Sequence, residues 1–112
     1  MDPEQLVRTV FDRVHASDPS VRDLYATDAV RIDQHGTRYE GRAAIGDFYE
    51  SIFPTPTPHP ELEHLLVSPP MVAAILRLPG RNGPGSRYLD LFEVEGDQIL
   101  SVRVMFPKSE DA

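Results

Sequence analysis

The apolar residues of this chain recur first at helical spacing and then, further along, at alternate positions. Leu6, Val7, Val10, Phe11 and Val14 form one stripe of a helix running to about Ala16. Asp2 suits its N-cap, Pro3 its first turn and Gln5 a capping-box spacing. Asp18-Pro19 repeats the cap-then-proline signal and opens a short helix with Val21, Leu24 and Tyr25 inward. Ala29 to Gln34 reads as a strand, with a turn at His35-Gly36-Thr37. Gly41 precedes a third helix, about Arg42 to Phe53, whose apolar side carries Ile45, Phe48, Tyr49 and Ile52. Alternate prolines from Pro54 to Pro60 stop that helix and predict a stiff extended segment.

Four strands complete the pattern. Three are expected at about Glu61 to Ser68, Met71 to Leu78 and Ser86 to Glu95, the last two joined by a flexible hairpin loop at Gly80 to Gly85. Glu95-Gly96-Asp97 turns into a last strand, Gln98 to Phe106, and the polar tail from Lys108 is expected to fray. Helices followed by hairpin-linked strands predict one α+β domain over residues 1–112, its helices gathered on one face of a largely antiparallel sheet. A strongly curved sheet of this kind encloses an apolar pocket against the helices.

Within the strand from Ser86 to Glu95, one residue breaks the apolar pattern. Period-two alternation puts Asp90 on a face with Tyr88, Phe92 and Val94. A carboxyl placed there either finds a partner or stays protonated, because an unpaired buried charge costs too much. One reading is a structural Asp paired with an Arg or with backbone amides. The other is a neutral acid that donates a hydrogen bond in a pocket, which makes it a catalytic candidate.

Composition narrows the partners. A formal net charge of −7 argues against nucleic acid and anionic membrane surfaces. The absence of cysteine removes disulfides and thiol chemistry. No apolar run approaches the ~20 residues of a membrane span, and Met1-Asp2-Pro3-Glu4 is acidic where a signal peptide is basic. The expected location is cytoplasmic.

The run Leu24-Tyr25-Ala26-Thr27-Asp28-Ala29-Val30-Arg31-Ile32-Asp33, then Gly41 to Tyr49, then Leu89-Asp90-Leu91-Phe92 and Ile99 to Arg103, resembles the ketosteroid isomerase branch of the nuclear-transport-factor-two-like superfamily. That superfamily also contains the SnoaL-like polyketide cyclases. The resemblance covers nearly the whole chain and implies a cone-shaped curved sheet wrapped on the helices. It implies a cofactor-independent isomerase that moves a C=C bond next to a ketone by carboxylate proton transfer. Asp33 falls at the family's general base, and Asp90 at the protonated acid facing the developing enolate. Tyr49 falls at a tyrosine supporting the oxyanion site. The neutral-acid logic is the worked behaviour of that enzyme family. The family's helix-one tyrosine is replaced by Val10. A SnoaL-like cyclase, or a module that binds a small apolar ligand without turnover, is also compatible.

The ligand expected from the resemblance is a small apolar ketone or a polyketide-like compound, contacting Val10, Val14, Phe48, Tyr88 and Phe92. Phe11, Met71, Met105 and Phe106 are further candidates for the lining, with core packing as the alternative. Alternation places Ala29, Arg31 and Asp33 on one face, so an Arg31–Asp33 ion pair is the structural alternative for Asp33. The four histidines, His15, His35, His59 and His64, share no metal-ligand spacing, so no metal is expected. His64 alternates with Leu62 and Leu66 and is a candidate for the cavity face, and His59 for a lid. The superfamily's habit of pairing through the outer face of its sheet implies a homodimer.

Overall fold

The computed structural model describes residues 1–53, 60–78 and 86–105. The elements are α1 (Pro3–His15), a 3-10 helix (Pro19–Leu24), β1 (Tyr25–Ile32), β2 (Arg38–Glu40), α2 (Arg42–Ile52), β3 (Glu61–Ser68), β4 (Met71–Leu78), β5 (Ser86–Glu95) and β6 (Gln98–Met105). Residues 54–59 of the proline segment, the Gly80–Gly85 loop, Phe106, and the tail from Lys108 lie outside the described residues. His59 falls there too.

Local chemistry explains the helix starts. The Asp2 carboxylate caps α1 by accepting from the Gln5 amide at 2.7 Å. Asp18 does the same for the Ser20 amide at 2.9 Å. The second helix is a single 3-10 stretch of six residues because Tyr25 already has extended dihedrals and begins a strand.

The sheet has six strands in the order β2-β1-β6-β5-β4-β3. All neighbours are antiparallel except β1 and β6, which run parallel. Register irregularities interrupt β1 between Tyr25 and Val30, β3 between Leu62 and His64, and β5 between Glu93 and Val94. Such bulges bend strands and strengthen twist, and the sheet is curved and unclosed. Val72, Ala74 and Leu76 of β4, Phe92 and Val94 of β5, and Ile99 and Val102 of β6 bury one face against the α1 stripe. Phe11 meets Phe92 edge-on, ring centroids 6.1 Å apart.

Two features of the sequence pattern are corrected. β1 begins at Tyr25, four residues before Ala29, because Tyr25 already pairs with Ile99. It ends at Ile32, two residues before Gln34, because the chain turns there: the Asp33 amide donates to the Thr37 carbonyl at 3.0 Å and the Gly36 amide to the Asp33 carbonyl at 2.9 Å. That turn produces the short strand β2, which the sequence pattern did not suggest. Among the described residues no helix is long and apolar enough to cross a membrane.

Gly41 joins β2 to α2 with φ at +96° and ψ at 153°, and its amide donates to the Ala29 carbonyl at 2.7 Å. A side chain rarely adopts that backbone. Gly41→Ala is therefore expected to destabilise the fold by about 1–3 kcal/mol, measured by urea unfolding against wild type.

Candidate functional site

Asp90 lies in mid-strand on the inner face of β5, 7% exposed. Its register neighbours are Ala74 on β4 and Val104 on β6, and neither side chain offers a donor. Among the described residues its buried Oδ1 has no hydrogen-bond partner. Desolvation pushes the carboxyl up to about 7, against the opposing pull of the Arg31 charge.

Arg31 is the second unusual group. It is 9% exposed and projects inward from β1, opposite Val102 of β6. Val102 in turn faces Phe92, two residues from Asp90 on the same side of β5. The Arg31 guanidinium carbon sits 4.1 Å from the centre of the Phe48 ring and 6.0 Å from that of Tyr49. Its Nε is buried and finds no partner among the described residues. The guanidinium thus acts on Asp90 through space, without a hydrogen bond.

Three tyrosines complete the interior cluster. The Tyr25 and Tyr49 hydroxyls are 2.6 Å apart in a buried hydrogen bond. Each has its phenol pushed up, first by burial, with Arg31 opposing the shift in both. Two hydroxyls bring two protons to one mutual bond, so one proton stays free to be donated elsewhere. Tyr88, partly buried and two residues from Asp90, also has its phenol raised, first by burial and then by Asp90. The interior of the cone is thus polar at its centre, where the sequence reading expected an apolar pocket.

Asp33 is the other carboxyl that the resemblance singles out. It follows the last residue of β1, and its carboxylate accepts from the backbone amides of His35 at 2.8 Å and Thr37 at 2.9 Å. Partial desolvation works to raise it, but those two amides outweigh that effect and hold its pKa below the ordinary value. Asp33 follows Ile32, which pairs with Arg103 of β6, and Asp90 pairs with the next residue, Val104, so β6 runs between the two carboxyls and the Arg31 charge acts on both. A carboxylate held by two amides is a weak base, which counts against the general-base role that the resemblance gives Asp33.

The other sequence candidates divide. Phe48 and Tyr49 of α2 face the cluster through Arg31, and Tyr88 shares the Asp90 face. Val10, Val14 and Phe92 pack in the core beneath them. His64 is exposed on the outer face, because the bulge after Leu62 reverses the alternation. His15 closes the end of α1 onto the Pro60 carbonyl at 2.7 Å. An open groove of about 420 Å³ between α1 and β3, lined by Arg8, Phe11, Asp12, His15 and Leu62, contains none of the cluster. Arg31 and Tyr25 escaped the sequence reading as site residues. The signal for Arg31 was present, since it alternates with the inward Ala29, but it was weighed only as a neighbour of Asp33.

The sequence pattern of one family, the SnoaL-like domain, matches residues 7–102. The chain belongs to that family. Solved structures with the same fold include an NTF2-like protein of unknown function from Mesorhizobium loti, 21% identical, with a TM-score of 0.83 over 94% of this chain and 90% of that one. A candidate polyketide cyclase from Sinorhizobium meliloti is 20% identical, TM-score 0.78, over 90% and 94% of the two chains. A hypothetical protein with a ketosteroid isomerase-like fold from Catenulispora acidiphila, in complex with trimethylamine, is 17% identical, TM-score 0.77, over 93% and 86%. A comparison with curated proteins finds no match. At these identities the likeness establishes the SnoaL-like cone, and function has to be argued from the site.

The raised Asp90 carboxyl carries a stability consequence with a definite sign. An acid whose pKa is higher folded than unfolded binds more protons in the native state between the two values. Stability from this group is therefore greatest below about pH 4 and falls as pH rises to about 7. Asp90→Asn removes the penalty. It is expected to be more stable than wild type at about pH 8, by an amount on the order of a few kcal/mol, and close to it at about pH 4. Denaturant midpoints at the two pH values give the comparison.

Proposed function

We propose that the interior cluster is the working site of a cofactor-independent acid–base enzyme acting on a small enolisable carbonyl compound, with Asp90 moving the proton. The observation that supports this reading is a solitary carboxyl poised near neutrality inside the cone, facing a cation and a pair of hydrogen-bonded tyrosines. Near pH 7 a large share of Asp90 is ionised and able to take a proton from the carbon beside a carbonyl. The resulting neutral acid returns that proton, either to a carbon two positions along, which moves a C=C bond, or to an alkoxide, which completes an intramolecular aldol cyclisation.

The negative charge on the enolate oxygen needs donors. Arg31 and whichever of Tyr25 and Tyr49 keeps its free proton are the groups suited to supply them; each such donor is typically worth ~100- to 1000-fold in rate. In this scheme Asp90 takes the base role that the resemblance to ketosteroid isomerases assigned to Asp33. Val10 leaves helix one without a tyrosine, and the tyrosine pair takes over as donor from β1 and α2.

Proton transfer is read most generally as solvent deuterium exchange beside the carbonyl, followed by NMR over a panel of β,γ-unsaturated ketones and polyketide-like compounds. The rate is expected to rise with pH through about 7 as Asp90 ionises. Asp90→Ala is expected to cost ~100-fold or more, and Asp33→Asn to stay within about twofold because Asp33 serves its own turn. A wild-type rate in Asp90→Ala, or a collapse in Asp33→Asn with the fold intact, would falsify the assignment.

The outer face of the sheet supports a homodimer. Register aligns His64, Ile75, Leu89 and Met105 in one row, and Leu66, Ala73, Leu91 and Arg103 in the next. Leu66 is 59% exposed and Met105 38%, an apolar surface of the kind that covers itself with a second copy. Light scattering is expected to give a dimer mass for wild type and a monomer mass for Leu66→Glu; a wild-type monomer at working concentration removes the dimer.

A further inference from the structure

Arg31 has a requirement that the proton-transfer reading meets only in part: one enolate oxygen uses one of its five N–H donors. The residue is 9% exposed and its guanidinium carries a permanent charge, yet among the described residues its buried Nε has no acceptor and no carboxylate pairs with it. Buried cations are ordinarily paired or hydrogen-bonded, because an uncompensated one is costly. Asp90 compensates it only at a distance, and only when ionised.

The groups that hold Arg31 leave its hydrogen bonding unsatisfied. The guanidinium carbon lies over the Phe48 ring at 4.1 Å from its centre, with the Tyr49 ring at 6.0 Å. A ring face holds the cation but supplies no lone-pair acceptor, so the buried Nε still lacks one among the described residues. A guanidinium in need of an acceptor suits a planar carboxylate, which takes two parallel hydrogen bonds.

We infer that Arg31 anchors a carboxylate of the ligand, so that the compound occupying the cone is an organic acid whose reacting carbonyl lies toward Asp90. This inference rests on the acid–base reading for the identity of the reacting group, but the binding claim stands by itself. The net charge of −7 works against an anion at long range. Exposed charges are screened beyond ~8 Å at physiological ionic strength, however, and a buried guanidinium is not.

Binding of the acid is coupled to the proton on Asp90. The charged and titratable groups facing Asp90 are Arg31 and Tyr25 from β1, Tyr49 from α2 and Tyr88 from its own strand. Its β4 and β6 neighbours, Ala74 and Val104, are apolar, and the buried stripe of α1 carries no ionisable group. The tyrosines keep their protons, since all three are raised. Below about pH 7 Asp90 is neutral and the cluster carries one positive charge; above it Asp90 is anionic and repels a second carboxylate. A bound acid therefore favours the protonated form of Asp90, and protonation favours the acid.

The test compares benzoate with methyl benzoate, an acid and its uncharged ester of similar shape, by calorimetry at about pH 6 and about pH 8.5. Wild type is expected to prefer benzoate about tenfold or more at the lower pH, with that preference shrinking at the higher one. Arg31→Gln should abolish the preference, Arg31→Lys should restore part of it, and Asp90→Asn should hold it constant across pH. Circular dichroism checks that each variant folds, and the wild-type and Asp90→Asn arms decide the matter if Arg31→Gln does not. Equal binding of acid and ester at about pH 6, no binding of either, or a preference that survives Arg31→Gln overturns the inference. A pH dependence that persists in Asp90→Asn overturns the coupling. Because no turnover is needed, an acid preference without proton exchange would sink the enzyme reading alone.

Discussion

The interior of this protein is arranged around the cost of putting a carboxyl between Ala74 and Val104 in the middle of a sheet. Neither neighbour can solvate the charge, so desolvation sets the protonation state and the distant Arg31 only moderates it. The penalty above neutral pH is on the order of a few kcal/mol, a sizeable share of the ~5–15 kcal/mol by which a typical domain is stable. A Val or Leu at that position would pack with the row without cost. A strand that keeps an acid there instead departs from its own apolar pattern in the way functional sites commonly do.

The separation of Asp90 from Arg31 matters as much as their shared burial. In contact, the two would form an ion pair, Asp90 would be held ionised well below neutrality, and its proton would be unavailable near pH 7. Two elements keep them apart. Arg31 leaves β1 opposite Val102, a strand away from β5, and its guanidinium is retained on the Phe48 and Tyr49 rings. A desolvated cation over aromatic rings is worth about 2 kcal/mol, enough to position the group but not to neutralise it. The tyrosine pair from β1 and α2 then supplies hydrogen bonding without adding a competing charge.

Periodicity made the sheet legible where its strands are long. β4 alternates over its whole length, and β3 and β5 are each interrupted by a single irregularity, after Leu62 and after Glu93, so their limits follow from the sequence. Asp90 could be assigned to the inner face for the same reason. β1 was read less well because its register breaks between Tyr25 and Val30, where alternation no longer reports which side chain faces in. β2 has three residues, too few for any period, and exists only because the Asp33–Thr37 turn folds the chain back onto β1. Arg31 was underrated because its inward direction depends on β1 pairing parallel with β6, a contact between distant parts of the chain.

The two carboxyls show how far a residue-by-residue resemblance can carry an argument about chemistry. Asp33 and Asp90 both fall on functional positions of a related family, yet their environments shift them in opposite directions. Asp33 lies one residue past the strand, where alternation no longer governs, and Gly36 with φ at +84° allows the tight turn that brings two amides to its carboxylate. Both amides donate to one oxygen, Oδ1, and they hold the carboxylate in its charged form, which makes it a poor proton acceptor. Asp90 is buried, its Oδ1 has no partner among the described residues, and it is poised close to neutral pH. On physical grounds the carboxyl best suited to the proposed proton chemistry is the one at the centre of the sheet, with the cation of β1 acting on it.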